Sequence, residues 1–134
     1  MSNDTKTYNG WSNYETWNVK LWIDNEQGDY EYWREVTREC MEEASTGVSS
    51  YAKLTGREIF TREERAVLEL ERRLKDEIEE NAPELGASMW ADLMNAALSE
   101  VNWHEIAKAM VDDEEWPAEE EPVDEDAETE EEGS

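Results

Sequence analysis

The chain has one cysteine, Cys40, and one histidine, His104, in 134 residues. No internal disulfide can form, and a single thiol suits a reducing, intracellular setting. Structural zinc takes four Cys or His ligands, so a site of that kind is excluded by count. A Cys–His nucleophile pair would need these two side chains to touch. Cys40 lies on an apolar helical stripe, where a free thiol is usually a small hydrophobe. His104 falls in the first turn of a helix, where the dipole disfavours the imidazolium. There is no glycine-rich phosphate loop and no EF-hand spacing, and nothing singles out a catalytic pair of carboxylates. The sequence therefore offers no catalytic residue, no metal ligands and no cofactor site. It has no apolar run long enough to span a bilayer. The start, MSNDTKTYNG, is not a basic stretch followed by an apolar block, as a secretory signal would be. A cytoplasmic protein is the simplest expectation.

Cations are also scarce: 12 lysines and arginines face 37 acids, for a net charge of −25. Fourteen of the acids fall in Asp112–Ser134, a stretch without a single base. Residues 1–111 thus carry −11 and residues 112–134 carry −14. We read two parts: a helical domain over 1–111 and an acidic tail over 112–134. The tail combines high charge with low hydrophobicity, the composition of disorder. A molecule this negative repels nucleic acid and anionic membrane and attracts cationic surfaces. Many of the most cationic surfaces in a cell belong to proteins that grip nucleic acid. Fully extended, the tail reaches roughly 75 Å. Its charge is then spread to about one per 5 Å, against one per ~1.7 Å of duplex DNA. It is suited to steering a partner more than to imitating a duplex.

The body is built on helical periodicity and tryptophan. Ser12 and Glu15 have capping-box spacing, followed by Trp17 and Leu21 on one face. Residues 1–10 read as polar and loose. Gly28 reads as the stop of the first helix and Asp29 as the cap of the second. The second helix carries Tyr30, Trp33, Val36 or Thr37, Cys40, Met41 and Ala44 on one stripe. Residues 45–61 read as a long loop. Thr61 and Glu64 form a second capping box, opening a helix to about Asn81 with Val67, Leu70 or Leu68, Leu74 and Ile78 on one face. Opposite charges recur four residues apart on its other side, from Arg65 to Glu79, which marks a solvated face. Pro83 breaks this helix. Another is expected from about Ala87 to Leu98, with Met89 or Trp90, Leu93, Met94 and Ala97 inward. Asn102 and Glu105 set a third capping pattern before Ile106, Ala107, Met110 and Val111. The fold expected is all-α, a compact bundle of about five helices. Six of the seven tryptophans lie in the body, and a buried indole hides roughly 150–250 Å². Such rings would offset much of the carboxylate repulsion.

Two blocks carry a resemblance. The first is Asn9-Gly10-Trp11-Ser12-Asn13-Tyr14-Glu15-Thr16-Trp17-Asn18-Val19 with Leu21-Trp22; the second is Ala97-Leu98-Ser99-Glu100-Val101-Asn102-Trp103-His104-Glu105-Ile106-Ala107. Together they resemble a group of small phage, plasmid and bacterial proteins classed as a domain of unknown function. The resemblance lends no catalytic residues. It implies a viral or mobile-element origin.

Three groups of residues are candidates for partner binding. Trp11, Asn13, Tyr14, Glu15, Trp17 and Asn18 could form a recognition surface of rigid rings and polar contacts. The plainer reading, which outweighs it, is a helix start whose polar groups cap and hydrogen-bond around aromatic packing. Glu31, Glu35, Glu39 and Glu42 form an acidic stripe on the second helix; Arg34 and Arg38 run beside them, so a solvated mixed face is the stronger reading. Asp112, Asp113, Glu114 and Glu115 open the tail. The function expected is a non-enzymatic acidic protein that binds a basic protein surface. In its sharpest form it inhibits a nucleic-acid-binding host defence enzyme by standing in for DNA. The alternatives are an accessory interaction module with a solubilising tail, or adaptation to high salt.

Overall fold

The computed structural model describes residues 7–46, 54–57 and 59–117. Five helices are present among them: α1 (Tyr14–Asn25), α2 (Gln27–Thr46), α3 (Arg62–Glu80), α4 (Met89–Ser99) and α5 (Trp103–Asp112). The all-α expectation holds. Residues 118–134 of the tail, and residues 47–53 and 58 of the expected long loop, lie outside the described residues, while Ser45 and Thr46 of that expected loop belong to α2.

The chain enters through a tight turn, where composition predicts a loose segment. Tyr8 and Trp11 exchange both backbone hydrogen bonds, at 2.6 and 2.8 Å. Asn9 and Gly10 between them both have positive φ, 50° and 90°. Asn-Gly is the pair that tolerates this geometry in two-residue turns. The turn places Tyr8 against Tyr14 and Trp17, with ring centroids 5.2 and 4.9 Å away.

The start of α1 is one residue later than the capping box implies. Asn13 is the N-cap, and its Oδ1 accepts the Thr16 N–H at 2.9 Å. Amide oxygens cap as well as hydroxyls, and Ser12 is drawn elsewhere. Gly28 does not stop α1. The helix ends at Asn25, Glu26 is extended, and α2 has begun by Gln27 with Gly28 and Asp29 in its first turn. The corner therefore turns on one residue. By contrast, the Thr61–Glu64 box forms in both directions, each bond 3.0 Å long.

The core is where helices α2, α3 and α5 meet, with α1 laid across α2 and α5. Trp33, Val36, Cys40, Met41 and Ala44 come from α2; Ala66, Val67, Leu70 and Leu74 from α3; Ile106, Ala107, Met110 and Val111 from α5. These are the stripes that helical spacing predicts, except that Tyr30 at the start of α2 is exposed and Ile78 near the end of α3 is only partly buried. Leu70, not Leu68, points inward; Leu68 is exposed. Val36 and Thr37 are both buried, and the Thr37 hydroxyl satisfies itself by donating to the Trp33 carbonyl at 2.7 Å.

The tryptophans divide differently from the expectation. Only Trp33 and Trp103 are buried; Trp11 and Trp116 pack partly against the core, and Trp22 and Trp90 face solvent. The larger departure is α4. Spacing predicts Met89 or Trp90, Leu93, Met94 and Ala97 inward, yet no residue of α4 is buried. Periodicity gives the helix correctly, but its cover is partial: Leu98 packs against the core and Ala91 and Met94 are half-buried, while Met89, Trp90 and Leu93 are exposed. The core is already closed by α5.

Folded structure also continues past Val111. Glu114 accepts hydrogen bonds from Arg34 Nε at 2.8 Å and Arg38 Nε at 3.3 Å. Trp116 packs against the core with the Arg62 guanidinium 4.2 Å from its ring centroid. The first residues of the stretch that composition marks as tail thus lie along the body.

Candidate functional site

The two sequence blocks meet in space. The Ser12 hydroxyl and backbone N–H both donate to Glu105 Oε1, at 2.8 and 3.1 Å. Asn13 Nδ2 donates to the Glu100 carbonyl at 2.7 Å. Thr16 is fully buried; its hydroxyl donates to Asn13 Oδ1 at 2.6 Å and accepts the Asn102 N–H at 2.8 Å. Asn102 in turn caps α5 by accepting the Glu105 N–H at 3.0 Å. Glu105 does not reach back to its own N-cap, because Ser12 holds its carboxylate. These polar side chains form a clasp that fastens α1 to α5.

The clasp accounts for much of the first candidate group. Asn13 is spent on capping and on the link to Glu100. Trp11 packs on the core, and Tyr14 and Trp17 stack with Tyr8. Glu15 and Asn18 are half-buried. The group is not gathered into one outward-facing set.

The acidic stripe of α2 is exposed along its length. It is partly answered from α3: Arg73 reaches Glu39 at 3.2 Å and Glu43 at 3.3 Å while holding Glu69 at 3.0 Å. Arg73 is only partly accessible; burial works against its charge, but Glu69, with Glu43, outweighs burial and keeps it firmly protonated. Burial likewise opposes ionisation of Glu69, but Arg72 and Arg73 hold its carboxyl below the ordinary range. Glu35 has a looser contact with Arg38 at 3.8 Å, and Glu31 accepts from Gln27 at 3.0 Å. Glu42 has no cation partner among the described residues. Beside the stripe, the Tyr32 hydroxyl donates to Glu77 at 2.7 Å, which raises the phenol's pKa.

Asp112 to Glu115 are not alike. Asp112 pairs with Lys108 at 3.2 Å. Glu114 is enclosed by Arg34 and Arg38, and the hydrogen bond from Arg34 holds its carboxyl low. Asp113 and Glu115 are exposed, and Glu114 is half-buried.

Every lysine and arginine on the five helices is engaged inside the molecule. Lys20, Arg34, Arg38, Arg72, Arg73, Lys75 and Lys108 pair with its own carboxylates. Arg65 donates to the carbonyls of Phe60 and Ala44, and Arg62 stacks on Trp116. The charge left facing outward is negative.

The residues with chemical potential are kept apart. The Cys40 thiol is buried in the core, and burial pushes its pKa up to about 12, against a weaker pull from Arg73. His104 is exposed, its Nδ1 3.0 Å from Glu71. No group of three or more His, Cys, Asp or Glu among the described residues is placed to hold a metal ion. No described helix is long and apolar enough to cross a membrane.

Sequence reasoning missed one surface. α4 stands beside a cleft of about 960 Å³ that runs along the end of α3. Its exposed apolar residues are visible as a pattern, but periodicity alone cannot say which apolar faces a fold leaves open.

No curated protein and no solved structure matches the chain. Residues 4–121 match the family of unknown function DUF7249. The match takes in the clasp, all five helices and the Glu114–Trp116 segment, so the chain is a member of that family.

Proposed function

We propose that this protein is a non-enzymatic binder of basic protein surfaces, working in the cytoplasm. One observation carries the reading. The net charge is −25, and the cations of the five helices are turned onto internal partners, leaving carboxylates outside. Such a surface accelerates encounter with a cationic partner and discourages nucleic acid and anionic lipid.

The narrower form is an inhibitor that occupies the nucleic-acid site of a host defence enzyme, such as a restriction or CRISPR complex. The resemblance to phage and plasmid proteins favours it. The charge density of α2 limits how literal the imitation is. Six acids and two arginines lie on its 20 residues. That is a net of four charges over roughly 30 Å, far sparser than the one per ~1.7 Å of a duplex. Neutralisation of Glu39 and Glu43 by Arg73 thins it further. Competition, not facsimile, is the form of inhibition this surface supports.

The test is binding to an immobilised nuclease at two salt concentrations, with DNA as competitor. Mutual exclusion and weakening by salt are expected. Independent binding of DNA and protein would remove the inhibitor reading. Binding indifferent to salt would remove the charge-based one.

A second reading, an interaction module that docks through uncharged surface, is favoured by the exposed apolar residues of α4. Salt separates the two: docking through uncharged surface should be indifferent to ionic strength, whereas charge-driven binding should weaken as salt rises.

A further inference from the structure

Helix α4 has the composition of a covered element but is covered only in part: Ala91, Met94 and Leu98 are half-buried. Its eleven residues include one charge, Asp92. Met89, Trp90 and Leu93 are 60, 63 and 55% exposed. Ala91, Met94 and Leu98 lie on a different face, lining the cleft beside α3. A helix apolar on more than one face belongs in an interior, and contiguous exposed apolar surface marks interaction sites. Methionine, with its flexible thioether, suits a surface that must accept varied side chains.

The cleft has a distinct electrical character. Leu85, Met94 and Leu98 line it, while Glu79, Glu80 and Glu84 also border it. Lys75 is the one cation on its lining, and its ammonium is bound to Glu79 at 3.1 Å. A lining that mixes leucine and methionine side chains with carboxylates calls for an occupant that is apolar along one side and cationic at its edges.

We propose that α4 and this cleft form the docking site for an amphipathic segment of a partner protein, apolar along one side and flanked by lysine or arginine. The proposal rests on the basic-partner reading and gives it a location. Charge decides among occupants. Residues 118–134 of the chain itself carry ten carboxylates and no cation, so the carboxylates of the cleft repel them. A second copy brings another −25 and the same carboxylates. Nucleic acid offers neither an apolar side nor the right charge. A basic amphipathic helix satisfies the apolar side chains and the carboxylates together.

The experiment uses the full-length protein and two labelled peptides of about 18 residues, roughly five helical turns. One has leucine and lysine at helical spacing. The other keeps the lysines and replaces the leucines with serine. Fluorescence anisotropy is read for the wild type, for Leu85→Ser with the α4 residue Met94→Ser, both of which line the cleft, and for Glu79→Gln with Glu80→Gln and Glu84→Gln. None of these residues is buried, and circular dichroism confirms the fold. The leucine–lysine peptide should bind the wild type at least about tenfold more tightly than it binds either variant, and more tightly than the serine peptide binds. Equal binding of both peptides, or binding unchanged in the variant at Leu85 and Met94, overturns the docking site and leaves the basic-partner reading intact if salt still weakens it. No binding of either peptide overturns both. Sedimentation supplies another check: a wild-type dimer dissociated by Leu93→Ser would make a second copy the occupant and overturn the proposal.

Discussion

Thr16 Oγ1 accepts the backbone N–H of Asn102 at 2.8 Å, joining residues 86 apart in the sequence. The hydroxyl is fully buried, so no water can replace it. Thr16→Val keeps the shape and removes the acceptor. An unsatisfied buried donor costs about 1–3 kcal/mol, and urea denaturation should show a loss in that range. Thr16→Ser should lose less, since it retains the hydroxyl. Asn13→Ala removes a cap and the link to Glu100, and should cost about 0.5–2 kcal/mol for the cap alone.

Arg73 keeps three carboxylates from facing one another: Glu39, Glu43 and Glu69. Arg73→Met should therefore destabilise the protein most at low ionic strength. Added salt screens the exposed carboxylates over about 8 Å at physiological concentration, so the deficit should shrink as salt rises. Thermal melts across a sodium chloride series check this. A deficit independent of salt would assign the role of Arg73 to packing.

Acid should loosen the Glu114 junction. The hydrogen bond from Arg34 holds the Glu114 carboxyl below its ordinary value of 4.5, and Glu69 shifts the same way. The unfolded chain then takes up protons before the folded one does. This contribution is complete above the unfolded value and is lost as pH falls through the folded value. Urea midpoints measured from neutral pH downward should fall, and Glu114→Gln should flatten part of that slope. The same variant should already be weaker at pH 7.

The thiol of Cys40 should be inert in the native protein. With a pKa of about 12, the thiolate fraction at pH 8 is on the order of one in ten thousand. Modification by a thiol reagent at pH 8 should track unfolding and accelerate sharply in urea. Cys40→Ala should also lessen the loss of stability at alkaline pH. The reason is that the unfolded thiol ionises near 9 while the folded one holds its proton until about 12.

Trp116 and Arg62 tie the chain beyond α5 to the start of α3. Trp116→Ala should cost about 1–3 kcal/mol, combining a partly desolvated cation–π contact with lost apolar burial. A midpoint equal to the wild type would mean that Trp116 adds nothing to stability.

Much of this is legible from residue order. The stripes of α2, α3 and α5 and the Thr61–Glu64 box are local patterns whose physics lies within a few residues. Departures arise where partners come from afar. Ser12 looks like a cap because Glu15 follows it, but its hydroxyl is claimed by Glu105, 93 residues on. Gly28 looks like a helix stop, yet the turn is made at Glu26. Trp90 and Leu93 look like core because apolar residues usually are. Whether a face is covered depends on which helices reach it, and α5 takes the place α4 would have filled. Arg34 and Arg38 make the α2 stripe read as a mixed face, while its strongest partner, Arg73, sits on another helix.

The clasp also sets when the protein can fold during synthesis. Ile106, Ala107 and Val111 sit at the centre of the core, and α1 has its anchor only once Glu100, Asn102 and Glu105 exist. A ribosome must deliver more than three-quarters of the 134 residues before the first helix meets its fastening. At about 5–20 residues per second, the amino-terminal half waits several seconds without its closing element, and native structure is assembled only once α5 has been made.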